Sequence, residues 1–514
     1  MLGDGGMLMI TGVASVGTGA DTLYYAYRPG LSQLETATWR NSQDAVLNSR
    51  TYAYDAYQRL TGINLNNASE VAYTLNDKDQ RTAASYAVGG AWSYSYDDKS
   101  QVTGATGNNT IFSYAYDGIG NRLTAAEGSD TWSYTSNLLN QYTAINSDQP
   151  TYDADGNMLT TGDGWLYAWN GENRLIRAEN SDTLVEMAYD YMGRRIEKKV
   201  SSKGLLSFYN WNVDKHYKFA YDDYKLIAVY DAANNNALLM TFTWQPESVG
   251  LDVPVSMSYD GNTYYYVTDG NKNVTGLLDQ AGNRVAEYVY GPFGQLLGAE
   301  GELAEVNPFR FSSEYADDET NLVYYNYRYY NPSLGRWTNR DPVGEWGHII
   351  TKTIINSVNN TNNKEYNIYA FCFNNAIVSF DLLGEQIPDV WGLCTLACYL
   401  GFKNSEELYY IYQAWSDPSK LPRSMRRAAE INVRKALTGS RKQVSDKVVR
   451  ELIQKQAKNQ LRKVAIKKLG AKAIKVFAPN VIPGIGQFVS ILLGLQDVGS
   501  FCWCAFKCNT GRYL

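Results

Sequence analysis

The sequence predicts a mainly β protein. A long antiparallel sheet of hairpins curls on itself and is followed by an α-helical C-terminal domain. Three observations carry this. A short unit recurs eight times before residue 300: an aromatic, any residue, Tyr-Asp, a few turn residues, Arg or Asn, an apolar residue and Thr. Tyrosine and glycine are both abundant, 42 and 43 of 514 residues, and charged residues are 19%, which suits strands and turns better than helix or disorder. The charge is also split. Residues 1–384 hold 26 Lys and Arg against 44 Asp and Glu, a net of −18, while residues 385–514 hold 21 against 9, a net of +12. Oppositely charged parts are two physical units that attract each other.

Residues 1–21 (MLGDGGMLMITG at the start) have no basic n-region or clean apolar core, so no signal peptide is evident. A strand register begins by about residue 22 with no capping unit before it, the expectation for the C-terminal part of a longer array. Residues 22–304 then read as hairpins. The units are Thr51–Ile63, Trp92–Ala105, Phe112–Ala126, Pro150–Gly162, Leu166–Asn180, Met187–Val200, Phe219–Asp231 and Leu277–Gln295. In Phe112-Ser-Tyr114-Ala-Tyr116 the alternation gives a strand with one aromatic face. Asp117-Gly118-x-Gly120-Asn121 supplies turn residues that tolerate positive φ, and Arg122-Leu123-Thr124 resumes the strand. Tyr and Arg at matching positions on neighbouring hairpins are placed to form ladders across one sheet. Asp153-Ala-Asp155-Gly-Asn157 has the look of a calcium loop, but it lacks the closing Glu and sits in a hairpin turn.

Residues 305–384 close the array. Asn321–Gly344 (NLVYYNYRYYNPSLGRWTNRDPVG) is dense in Tyr and Arg, with one Asn-Pro and one Asp-Pro turn. With Glu365–Gly384 (EYNIYAFCFNNAIVSFDLLG) it resembles the RHS repeat-associated core, and the hairpin units resemble the YD repeats of the same family. The resemblance covers roughly residues 22–384. It implies a spiralling β-sheet that forms all or part of a hollow shell around a variable C-terminal segment, often a toxin. It also implies aspartyl autoproteolysis that frees this segment. The matching residues are Arg328 in the Arg-Tyr-Tyr strand, Asp341 of Asp-Pro-x-Gly, and Asp381. Two close carboxylates cannot both ionise freely, so one holds a proton while the other activates water, and an adjacent Arg biases that sharing. The chain departs from the family pattern in two ways. The second motif is Asp381-Leu382-Leu383-Gly384-Glu385, without Pro, and an Asn-rich insertion, residues 348–364, separates the halves. The competing reading makes Asp341 and Asp381 turn formers and Arg328 a ladder arginine. A second function class, a cell-surface adhesion or carbohydrate-binding protein without cleavage, uses the tyrosine faces to stack on sugars.

Residues 385–514 read as a helical, basic, effector-like domain. Residues 425–436 and 441–477 have helical spacing, and residues 441–475 carry 12 Lys and Arg against 2 Asp and Glu. That basic face fits an anionic membrane, or the acidic array, better than nucleic acid. Residues 476–496 have no charge over 21 residues but are broken by Pro479 and Pro483, leaving a spanning helix and a buried helical hairpin both open. Cys394, Cys398, Cys502, Cys504 and Cys508 fit disulfides better than a zinc site. No His follows residue 385, which excludes His-dependent nucleases and Ser- or Cys-His hydrolases there. A membrane-active toxin survives. His216 and His348 stand alone as ordinary residues, and no cofactor or metal is expected. The implied partners are the rest of a shell or a shell-closing subunit, and a cognate immunity protein. The implied site of action is outside the cell or at its surface.

Overall fold

The computed structural model describes residues 21–29, 31, 33–203, 210–246, 252–341 and 367–381. The chain divides into two units, Met1–Gln386 and Ile387–Leu514, and all described residues belong to the first. The helices expected at residues 425–436 and 441–477, the apolar run and five cysteines beyond residue 385, the insertion with His348, and Leu383–Glu385 lie outside the described residues.

Among the described residues thirty strands form three sheets, and within each sheet every strand pairs antiparallel with its neighbour in the chain. The first sheet has twelve strands, β1 (Thr22–Tyr27) to β12 (Tyr142–Ile145), and the second fourteen, β13 (Thr151–Tyr152) to β26 (Leu296–Glu300). The array thus divides once, at residues 146–150. Ile145 closes back on Asp148 there, and Pro150 has no N–H to continue the ladder. The third sheet holds β27 (Tyr315–Asp317), β28 (Leu322–Tyr325), β29 (Arg328–Asn331) and β30 (Arg336–Trp337).

The Tyr-Asp signature has a direct physical basis. Asp117 Oδ1 accepts from the N–H groups of Ile119 and Asn121, at 2.9 and 2.8 Å, while Oδ2 accepts from Asn121 Nδ2 at 2.9 Å. One carboxylate therefore folds the whole turn. Asp55, Asp97, Asp190 and Asp279 repeat the pattern with Arg or Gln or Asn four residues on. The residue three after the acid takes positive φ, Gly120 at 88°, Gln58 at 67° and Ser100 at 66°, and so do Asn140 and Asn173 where Asn137 and Asn170 stand in for the acid. Asp153 spends both oxygens on Asn157, so the calcium-like loop is one more such turn.

At each of these turns the register slips by one residue, as between Tyr116–Arg122 and Ala115–Thr124. The tyrosine that leads into the turn, before an Asp in three cases and before Gly291 in the fourth, then reaches back one hairpin. Tyr116 Oη donates to Val102 O at 2.8 Å, Tyr96 to Arg81 O at 2.6 Å, Tyr189 to Leu175 O at 2.6 Å, and Tyr290 to Val274 O at 2.7 Å. In each case the acceptor is the first residue of a strand, at a register slip.

The third sheet and the residues around it pack against both arrays. Val323, Tyr325, Tyr330 and Trp337 join the core of the first sheet, with Trp92, Phe112, Tyr114 and Tyr142. Leu322, Tyr324 and Tyr329 join that of the second, with Met158, Leu175 and Val185. Period-two alternation in β28 thus serves two cores at once.

Candidate active site

Arginines that follow the turns hold the closing segment in place. Arg81 Nη1 donates to Ile377 O at 2.7 Å, Arg122 Nη1 to Ser333 O at 3.2 Å, and Arg174 Nη1 to Tyr327 O at 3.0 Å. Arg81 and Arg122 also lie over Tyr73 and Tyr114 of their own hairpins, at 4.2 and 4.6 Å from the ring centroids. The expected Tyr–Arg stacking therefore runs across single hairpins and ends on the core segment. Arg195 and Lys198 form a denser knot. Arg195 Nη1 is 2.5 Å from Asp317 Oδ2, and Lys198 Nζ is 2.7 Å from Asp317 Oδ1 and 2.6 Å from Glu319 Oε2. Burial raises the Glu319 carboxyl, but Lys198 outweighs it and brings the group down to about 2.

Within this frame the three residues singled out from sequence come together. Arg328 opens β29, Asp341 lies four residues beyond β30, and Asp381 lies beyond the turn at Cys372–Asn374. Arg328 Nη2 stands 3.3 Å from Asp341 Oδ2 and 2.9 Å from Asp381 Oδ2. The side chains are 0%, 3% and 2% exposed, so all three charges are out of water. The guanidinium lies 3.8 Å from the Trp337 ring, which fixes its plane. Two buried carboxylates thus converge on one guanidinium nitrogen.

Four further groups belong to the neighbourhood and were not legible as site residues. Burial pushes the Glu314 carboxyl well up, with Lys272 opposing and Asp252 and Asp381 adding to it. Burial pushes up the Cys372 thiol, and Asp381 adds to this against Arg328 and Lys272. Lys272 carries φ 68° at the left-handed turn position that Gly120, Asn140, Gln58 and Ser100 fill in other hairpins. His216 pairs with Glu197 across neighbouring strands. Among the described residues no cluster of His, Cys, Asp and Glu is arranged to hold a metal, and no helix is long and apolar enough to cross a membrane.

Tyr-Asp turns repeated along two meandering sheets and closed by a buried Tyr- and Arg-rich segment define a YD-repeat protein of the RHS type. A family model described as the teneurin YD-shell matches residues 89–377, and the chain belongs to that family. It is 29% identical over 243 residues to the tRNA3(Ser)-specific nuclease WapA of Bacillus spizizenii, covering 46% of this chain and 10% of that protein. It is 23% identical over 379 residues to toxin protein Tse5 of Pseudomonas aeruginosa, covering 66% and 27%, and 22% identical over 348 residues to human Teneurin-4, covering 64% and 12%. The crystal structure of TcdB2-TccC3-Cdc42 superposes with a TM-score of 0.53 at 18% identity, over 71% of this chain and 20% of that one. The chain therefore spans about a tenth to a quarter of the length of these relatives, and the structural likeness speaks for the fold.

Proposed function

We propose that the chain is the shell end of a secreted or surface-borne effector, which carries residues 385–514 and frees them by aspartyl autoproteolysis near Leu383–Glu385. The single observation that supports this is the convergence of Asp341 and Asp381 on Arg328, buried and immediately upstream of the proposed scissile bond. The altered second motif has lost its proline and has kept the carboxylate in place.

The chemistry follows from the pair. One carboxyl holds a proton and the other is ionised; Arg328 favours the ionised form and fixes its orientation. The ionised partner takes a proton from water as the water oxygen bonds to the scissile carbonyl carbon. The protonated partner then gives its proton to the amide nitrogen as the C–N bond breaks, leaving a carboxyl and an amine. Burial supplies the low dielectric in which a guanidinium so close acts strongly.

Relatives named as a nuclease and as a toxin support the effector half of this reading, and the proposed partners are the remaining shell and an immunity protein that neutralises the released domain. The adhesion reading needs tyrosine faces free for sugars. In the described residues Tyr96 and Tyr116 of the repeat pack against the first sheet's core and their hydroxyls go to backbone carbonyls. The test is electrophoresis of freshly purified full chain beside Asp341→Asn and Arg328→Met. Two fragments from the wild type and one band from both variants support release; an intact wild-type chain refutes it.

A further inference from the structure

Among the described residues, 376–381, the last before the proposed scissile bond, belong to no strand or helix. Residues 376–378 turn, with Ser379 N donating to Asn375 O at 3.2 Å, and the chain then runs on to Asp381. Side chains from both large sheets hold this strap. Asn271 lies in the turn Asp269–Asn273, between β23 (Asn262–Thr268) and β24 (Val274–Leu278) of the second sheet. Its Nδ2 donates to Ala376 O at 2.7 Å and to Ser379 O at 3.3 Å. Arg81 opens β6 (Arg81–Tyr86) of the first sheet, and its Nη1 donates to Ile377 O at 2.7 Å. The two grips are joined to each other. Arg81 Nη2 donates to Gly270 O at 3.2 Å, and Gly270 N donates at 2.8 Å to the hydroxyl of Tyr73, in β5 (Ala68–Leu75). Glycine is what permits this approach: a Cβ at residue 270 would stand 2.7 Å from Leu60 Cδ2, 3.0 Å from Arg81 Nη2 and 3.1 Å from Tyr73 Cε2. Asn271 and Arg81 are both buried, so a lost bond leaves a polar group unpaired away from water. The strap is thus held by a turn of one sheet and a guanidinium of the other, while Arg328 takes Asp381 itself at 2.9 Å.

We propose that the Asp269–Asn273 turn is a closure sensor for the carboxylate site: Asn271 and Arg81 are positioning residues that bring Asp381 to Arg328 and Asp341 only when the first and second sheets have met. The strap has both of its holds once Tyr73 and Arg81 of the first sheet grip this turn of the second. Before that, Asp381 sits at the end of a segment with no ladder of its own, and the two carboxylates are not brought together. Placement dominates in such a pair, since a misplacement of about 1 Å costs roughly a hundredfold in rate. Cleavage is thus withheld from a chain whose sheets are parted. This consequence rests on the autoproteolytic reading; the two-sided grip on the strap does not.

Full chain made by cell-free synthesis is followed against time by intact mass for the wild type, Asn271→Ala, Tyr73→Phe and Asp279→Ala. Asn271→Ala removes the donor to both strap carbonyls. Tyr73→Phe keeps the ring 4.2 Å from Arg81 and removes the hydroxyl that accepts from Gly270. Asp279→Ala is the control, because it strips the same kind of turn at the opposite end of β24, where Asp279 accepts from Asn283. Asn271→Ala is expected to slow cleavage at least about tenfold and Tyr73→Phe about fivefold, with the control within about twofold of the wild type. In parallel, amide hydrogen exchange over residues 376–381 is measured in Asp341→Asn chains carrying each substitution. Faster exchange there with Asn271→Ala and Tyr73→Phe, and not with Asp279→Ala, supports the sensor whether or not the wild type cleaves. An uncleaved wild type overturns release alone. Equal cleavage times in all four chains, a control slowed as much as Asn271→Ala, or strap exchange that Tyr73→Phe leaves unchanged, overturns the sensor and leaves release standing.

Discussion

Replacing Asp317 by Asn is expected to loosen the closing segment from the second sheet. Asp317 is 2% exposed and carries contacts to two buried cations, Arg195 at 2.5 Å and Lys198 at 2.7 Å. Removing one partner of a buried ion pair typically costs about 3–5 kcal/mol, because the other charge stays buried without compensation. Lys198 keeps Glu319 at 2.6 Å, so the loss falls mainly on Arg195 and the lower end applies, about 3 kcal/mol. Arg195 also lies 4.5 Å from the Tyr324 ring and 4.7 Å from that of Tyr315, contacts that Asn leaves intact. With a urea slope of about 3 kcal/mol per molar for a chain of this size, the midpoint falls by about 1 M. Equilibrium urea unfolding followed by tryptophan emission measures it. The control is Asp44→Asn, whose pair with Arg40 is 3.6 Å long with Asp44 77% exposed, and it is expected to shift stability by less than about 0.5 kcal/mol. A midpoint for Asp317→Asn within the error of the control refutes the claim that this buried knot fastens the core segment.

Three further outcomes follow. Tyr116→Phe removes only the hydroxyl that caps Val102 O, and is expected to cost about 1 kcal/mol in the same urea assay. Asp117→Ala removes the acceptor for two backbone N–H groups and the Asn121 side chain, and is expected to cost more, about 1–2 kcal/mol. Glu319 gives an acid dependence. Its native carboxyl lies near 2 against an ordinary value of 4.5, so its stabilisation is full above about 4.5 and is lost as the pH falls toward 2. At most about 3 kcal/mol is involved, and Glu319→Gln is expected to flatten stability across that window in acid titrations of the urea midpoint.

Much of the fold was legible because the YD unit is a local device. Asp117, Ile119 and Asn121 are within four residues of one another, so the turn is written in the order of the sequence. The division into two sheets was less so. Residues 146–150 contain an ordinary Asn-Ser-Asp-Gln-Pro turn, and only the pairing of Ile145 with Asp148 shows that the ladder ends there. Arg328, Asp341 and Asp381 came from the family resemblance; spacing alone does not join Arg328 to a carboxylate 53 residues away. Lys272 and Glu314 enter through packing of the β23–β24 turn against the closing segment, 39 and 41 residues distant in the chain at the two contacts, which no periodicity encodes. The arginines after the turns were read as ladder residues along the sheet. Their charge instead ends on Ile377, Ser333, Tyr327 and Asp317, because those buried carbonyls and the carboxylate offer acceptors that a neighbouring hairpin does not.

The central claim is that two buried carboxylates held by Arg328 cut the chain behind Asp381. Intact-mass spectrometry of the purified full chain beside Asp381→Asn tests it most directly. The account predicts two wild-type masses whose boundary lies within residues 383–385, and a single full-length mass for the variant. A single full-length mass for both proteins, or the same two fragments from both, would contradict it.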